Sequence, residues 1–99
     1  MHVPQRHYKE LYALFAAIEN PRDAADLLAD ILTPQEIDSL AERWQLIQEL
    51  VKGTPQREVA ERLNVSISKI TRGSRVLQYG TGGFMYFLRK LGKSIKKVG

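Results

Sequence analysis

Ninety-nine residues, 43% hydrophobic and 26% charged, are enough for one modest globular domain. There is no cysteine, which excludes disulfides, thiolate metal sites and cysteine nucleophiles. The net charge of +4 is unevenly spread: residues 1–53 carry five Lys/Arg against nine Asp/Glu, and residues 54–99 carry ten against two. A basic half suits a polyanionic partner, although a Lys-rich solvated surface has the same charge. No stretch reaches the ~20 apolar residues of a membrane span, so a cytoplasmic protein is expected. A domain this small buries only about 60–65% of its unfolded surface, and pairing with a second copy is one remedy for so thin a core.

Every element reads as helix. From about Arg6 to Ile18, the positions Tyr8, Leu11, Tyr12, Phe15 and Ile18 follow amphipathic helical spacing. Asn20-Pro21 then offers an N-cap and a first-turn proline, predicting a second helix with Ala24, Leu27, Leu28, Ile31 and Leu32 on one face. Thr33-Pro34-Gln35-Glu36 is a capping box, in which each side chain can bond the other residue's backbone N–H. It predicts a long helix to about Lys52, with Ile37, Leu40, Ala41, Trp44, Ile47, Leu50 and Val51 on its apolar face, stopped by Gly53. Thr54-Pro55 repeats the cap-plus-proline signal before a short helix to about Leu63, and another runs from about Ile67 to Leu77. After the turn at Gly80, Gly82 and Gly83, a last helix is expected from Phe84 to about Ile95, with Gly92 weakening its end. Five or six helices with no strand pattern make an all-α domain.

The stretch Gln56 to Arg72 has helix-turn-helix spacing. Two short helices crossing steeply need a small residue at the contact, and Ala60 fits. The turn favours a residue that tolerates a left-handed backbone, which suits Asn64. Val59, Leu63, Val65 and Ile70 supply the small core that locks the angle, and Ser66 can cap the second helix. Gln56, Arg57, Ser66, Ser68, Lys69, Thr71, Arg72 and Arg75 then point outward, and Asn64 through Gln78 contain no carboxylate, as a phosphate-facing element requires. Ile67, at the start of the second helix, joins the DNA-contacting set. A helical hairpin with polar outer faces is the bland alternative. Arg57 could reach a guanine edge or hold a phosphate.

Other residues read more plainly. Trp44 belongs to the core or to an interface. His2 and His7 have no partner at metal-ligand spacing, so no metal is expected. Arg89, Lys90, Lys93, Lys96 and Lys97 could follow DNA phosphates or form a solvated tail. No nucleophile–base pair or phosphate-binding loop appears, so no enzymatic role is expected.

The string Ile70-Thr71-Arg72-Gly73-Ser74, with Gln56-Arg57-Glu58, Leu32-Thr33-Pro34 and Arg43, resembles the bacterial tryptophan repressor family from about Leu27 to Leu77. The resemblance implies an intertwined all-helical homodimer on double-stranded operator DNA. Residues of about 6–53 would dimerise, 54–78 would form the helix-turn-helix and 84–97 a basic C-terminal helix. It also implies a corepressor pocket in which Arg43 and Arg72 sandwich the indole of L-tryptophan. Gly73 would let the ring approach the backbone, and Ile47 would line the floor. Thr33 and the carbonyls near Asp30 and Leu32 would receive the amino group. Val76 stands where the family's classical member has a serine that contacts the ligand, and Lys69 replaces a threonine near the site. The family includes relatives with a different ligand or none. A ligand-independent regulator of the same fold therefore stands beside the tryptophan-dependent repressor. A protein-interaction or non-specific nucleic-acid-binding module is the more distant alternative.

Overall fold

Residues 2–95 are described by a computed structural model, and every regular element among them is a helix. In chain order these are α1 (Gln5–Ala16), α2 (Pro21–Ile31), α3 (Pro34–Val51), α4 (Gln56–Leu63), α5 (Ile67–Tyr79) and α6 (Gly83–Lys90). They divide between two compact units, one up to Ile37 and one from Asp38 onward.

In the first unit, local chemistry sets the helix ends. The Asp23 N–H donates to the Asn20 side chain at 2.8 Å, with Pro21 in the first helical position of α2. Both bonds of the capping box form: the Thr33 N–H donates to the Glu36 carboxylate at 2.8 Å, and the Glu36 N–H to the Thr33 hydroxyl at 3.1 Å. Yet no residue of α1 or α2 is buried. Leu11, Leu14 and Phe15 are each about two-fifths exposed and Tyr12 more so. These helices have apolar faces without a core of their own.

The second unit has a core. Leu46, Ile47 and Val51 of α3, Val59 of α4, Ile70 of α5 and Leu88 of α6 form one buried cluster. Trp44, Leu50, Ala60, Leu63, Val65, Leu77, Phe84 and Met85 pack around it. Burying each large aliphatic side chain contributes roughly 1.5–3 kcal/mol, so α3 is the post on which the other three helices are hung. Leu46 lies outside the seven-residue face expected for α3. It is buried because helices pack on α3 over a wider arc than one stripe.

Asn64 joins α4 to α5 with φ 52° and ψ 49°, the only non-glycine residue with positive φ among those described. Ser66 then caps α5, accepting from the Lys69 N–H at 3.3 Å. Two expectations are corrected. Thr54 does not cap α4: Pro55 holds that position without a side-chain bond, and the Thr54 hydroxyl donates to Glu49 at 3.0 Å instead. The last helix stops at Lys90, short of Ile95, because the chain turns left-handed at Gly92 (φ 70°). Lys96 and Lys97 lie outside the described residues.

Glu49 ties the start of the helix-turn-helix to the end of α3. Its carboxylate accepts from Thr54, from Arg62 of α4 at 3.1 Å and from Lys52 at 3.2 Å, and Arg62 also reaches Glu58 at 3.1 Å. The Thr54 hydroxyl bond, reinforced by the Lys52 and Arg62 charges, holds the Glu49 carboxyl below its ordinary 4.5 against the opposing push of burial. A depressed carboxyl contributes stability that is present above its unfolded pKa and lost as pH falls through the folded one. Glu49→Gln should therefore destabilise the protein at neutral pH, and the gap should close as pH falls below about 4. Urea midpoints across the pH range test this, and a gap constant with pH would refute the assignment. At the turn, Asn64→Gly should be tolerated, whereas Asn64→Val should cost about 1–2 kcal/mol through its strained left-handed backbone. Equal urea midpoints for the two variants would contradict that.

Candidate nucleic-acid interface and adjoining cavity

The helix-turn-helix presents the polar edge expected of it. Gln56 and Arg57 open α4 exposed, and Ser66, Ile67, Ser68, Lys69, Thr71 and Arg72 are all exposed at the start and along the outer face of α5. Ile67, Ser68, Thr71, Arg72, Arg75, Val76 and Tyr79 share one open, concave stripe along α5. The spacing of these residues, in adjacent pairs four apart, keeps them on one side of a helix while Ile70 and Gly73 turn inward. Arg75 lies over the Tyr79 ring with 5.9 Å to its centroid. Arg57, Arg72 and Arg75 form no ion pair among the described residues, leaving their charges available to an anionic partner.

Behind this stripe, between α3 and α5, is a cavity of about 380 Å³. Its walls include Arg43, Ile47, Arg72, Gly73 and Val76, five of the six residues named for a ligand from sequence. The sixth, Thr33, is outside that lining and engaged in the capping box of α3. Ile47 is fully buried, as a floor residue should be, whereas Arg43 and Arg72 are exposed. Arg72 and Val76 line both the cavity and the outer stripe, so an occupant of one touches the wall of the other.

Gly73 acts in packing as well as lining. A Cβ placed there would stand 2.6 Å from Leu46 Cδ2 and 3.5 Å from Ile47 Cδ1. The missing side chain leaves room for the Leu46 and Ile47 methyl groups of α3 against the backbone of α5, on the wall of the cavity.

The cavity has walls that the sequence did not reveal. Phe84 joins it from α6 and stacks on Trp44, with ring centroids 6.2 Å apart. Ser39, Glu42 and Leu46 come from α3. Lys69, assigned to DNA and noted near the site from the resemblance, lines it and pairs with Glu42 at 2.8 Å, a partner the sequence did not show. These residues are 27 positions apart, so no local pattern joins them. The helical face of Phe84 was visible in sequence, but its meeting with α3 was not.

Gly73→Ala should cost about 1–3 kcal/mol through overpacking against Leu46, offset by about 1 kcal/mol of helix propensity gained inside α5, so a smaller net loss is expected. Leu46→Ala in the same chain should return part of that loss. Thermal unfolding of the single and double variants tests this; strictly additive losses would exclude the contact.

Comparison with known proteins follows the same outline. The family model described as Trp repressor protein matches residues 6–92. A Trp operon repressor homolog of Mannheimia succiniciproducens is 42% identical over 66 residues, covering 66% of this chain and 65% of that protein. The corresponding homolog of Chlamydia caviae is 37% identical over 81 residues, 81% of this chain and 80% of that one. The chain thus spans just under two thirds of the length of the first relatives it matches. Among solved structures, one from Staphylococcus aureus matches with a TM-score of 0.88 at 22% identity, over 94% of this chain and 93% of its own. A TrpR like protein from Eubacterium eligens matches with a TM-score of 0.85 at 26% identity, over 94% and 95%.

Proposed function

Given that the chain belongs to the Trp repressor family, we propose that it is a sequence-specific DNA-binding transcriptional repressor that works as a homodimer and uses an amino-acid corepressor, with L-tryptophan the first candidate. The observation that carries this reading is the double position of Arg72, on the wall of the cavity and on the exposed stripe of α5.

In this reading, Ser68 and Thr71 meet base edges in the major groove. Gln56, Arg57, Ser66, Lys69 and Arg72 meet the backbone and fix the register. Ile67, 55% exposed at the first turn of α5, offers an apolar contact. The incompletely covered apolar faces of α1 and α2 support a second copy as their cover, because Leu11, Leu14 and Phe15 remain about two-fifths exposed and Leu27 and Leu28 are only half-buried. Two reading heads in a two-fold dimer address half-sites about one helical turn apart.

For the corepressor, Arg43 and Arg72 supply flat cations for an aromatic face or a carboxylate, and Ile47, Leu46 and Phe84 supply the apolar surface. A ligand can shift the heads only through contacts that differ between their two settings. Arg72 is placed to make such a contact. Val76 contributes hydrocarbon where the resemblance calls for a polar contact, which narrows the ligand's polar anchoring to the remaining residues. The family is regulatory rather than enzymatic, in line with the absence of a catalytic motif in the sequence.

Selection of bound sequences from random duplex DNA, with and without L-tryptophan, tests the whole proposal. A two-fold symmetric site enriched more strongly with L-tryptophan is expected. Ser68→Ala or Thr71→Ala should change the preferred bases, while Arg72→Ala should abolish the tryptophan response. Enrichment of a site without any response, and no calorimetric heat with L-tryptophan, would identify a ligand-independent regulator. Equal binding to every sequence, collapsing with salt, would identify non-specific phosphate binding.

A further inference from the structure

Lys69 is open to two partners. It stands in the first turn of α5, the helix assigned to DNA, and its ammonium is bonded to the Glu42 carboxylate of α3 at 2.8 Å. Both residues line the cavity, and their side chains are 59% and 35% exposed, so the pair ties α3 to α5 on the solvent side of that space. Among the described residues of the lining, Glu42 is the only carboxylate, against Arg43, Lys69 and Arg72. Asp30, Leu32 and Thr33, where the family resemblance puts the ligand's amino group, are not in this lining, so an ammonium entering the cavity has the Glu42 carboxylate to meet, and Lys69 already occupies it.

We propose that Glu42 is a positioning residue that withholds Lys69 from the DNA backbone, and that a ligand ammonium on Glu42 releases Lys69 to a phosphate. This rests on the assignment of α5 to DNA and adds to it a charge relay between cavity and helix. An exposed ion pair favours its bonded state by no more than about fivefold, so the contact can be exchanged without disturbing the fold. The four-carbon stem of lysine can swing its charge between the two partners. One further phosphate neutralised steepens the dependence of log affinity on log salt by about 0.9.

A double-mutant cycle tests the relay. Binding of a selected duplex would be followed by fluorescence anisotropy over a salt series for the unmodified protein, Glu42→Gln, Lys69→Met and the double variant, each checked for helicity by circular dichroism. Glu42→Gln should bind about two- to fivefold more tightly, with a salt slope steeper by about 0.9. In the Lys69→Met background the same change should do nothing. A Glu42→Gln gain that persists without Lys69 would reduce Glu42 to general repulsion of DNA and overturn the proposal, as would no gain at all. L-tryptophan, as the ammonium probe, should steepen the slope of the unmodified protein and leave Glu42→Gln unchanged. If calorimetry shows it bound but the slope stays the same, the release step is wrong. If it does not bind, the corepressor assignment fails and takes the release step with it, while the cycle still decides the withholding. Absence of binding to any duplex at low salt would instead remove the DNA assignment and this proposal together.

Discussion

The close approach of α5 to α3 at Gly73 governs the functional half of this molecule. With no Cβ in the way, the backbone of α5 settles against Leu46 and Ile47, and the side chains on either side of that contact are fixed in relation to one another. Ile70 goes into the core on the inner face, Ser68 and Thr71 go out, and Arg72 and Val76 stand at the boundary. A larger residue at this point would have to displace the Leu46 methyl that packs there, in the wall shared by the cavity and the inner face of α5. Cavity and stripe are thus two sides of one helix-packing contact, and this is the physical basis for expecting a ligand to influence DNA binding here.

The reading head is held at a second point by electrostatics. Glu49 gathers Thr54, Lys52 and Arg62 around the end of α3, clamping the connection through Gly53 and the last turn of α4. Ion pairs this exposed are individually weak, but they share one carboxylate with a hydroxyl donor, and together they oppose rotation of α4 about the glycine link. The Glu42–Lys69 pair is of another kind. It holds a cation from the first turn of α5, the helix proposed to meet DNA. One pair braces the end of α3, and the other joins two walls of the cavity.

The incompletely covered apolar faces of α1 and α2 complete the physical picture. Their amphipathic spacing is strong, yet the single chain buries none of their residues. A helix pattern of this quality specifies that something covers it. The proposed second copy would supply that cover.

Much was legible in the sequence because it depends on neighbours within four residues. The Asn20 cap, the Thr33–Glu36 box, the Gly53 stop, the left-handed Asn64 and the Ser66 cap are local hydrogen-bonding and steric matters, and each stands as its residue type demands. The polar, carboxylate-free edge of α5 follows equally from helical periodicity. Local rules also erred where a distant partner intervened: Thr54 caps nothing because Glu49 takes its hydroxyl. Only the tertiary structure brought Phe84 across the glycine turn to the cavity, set Leu46 where a Gly73 side chain would be, and paired Glu42 with Lys69. These contacts join residues far apart in the chain, where neither spacing nor propensity carries a signal, and they arise from how the helices pack on α3.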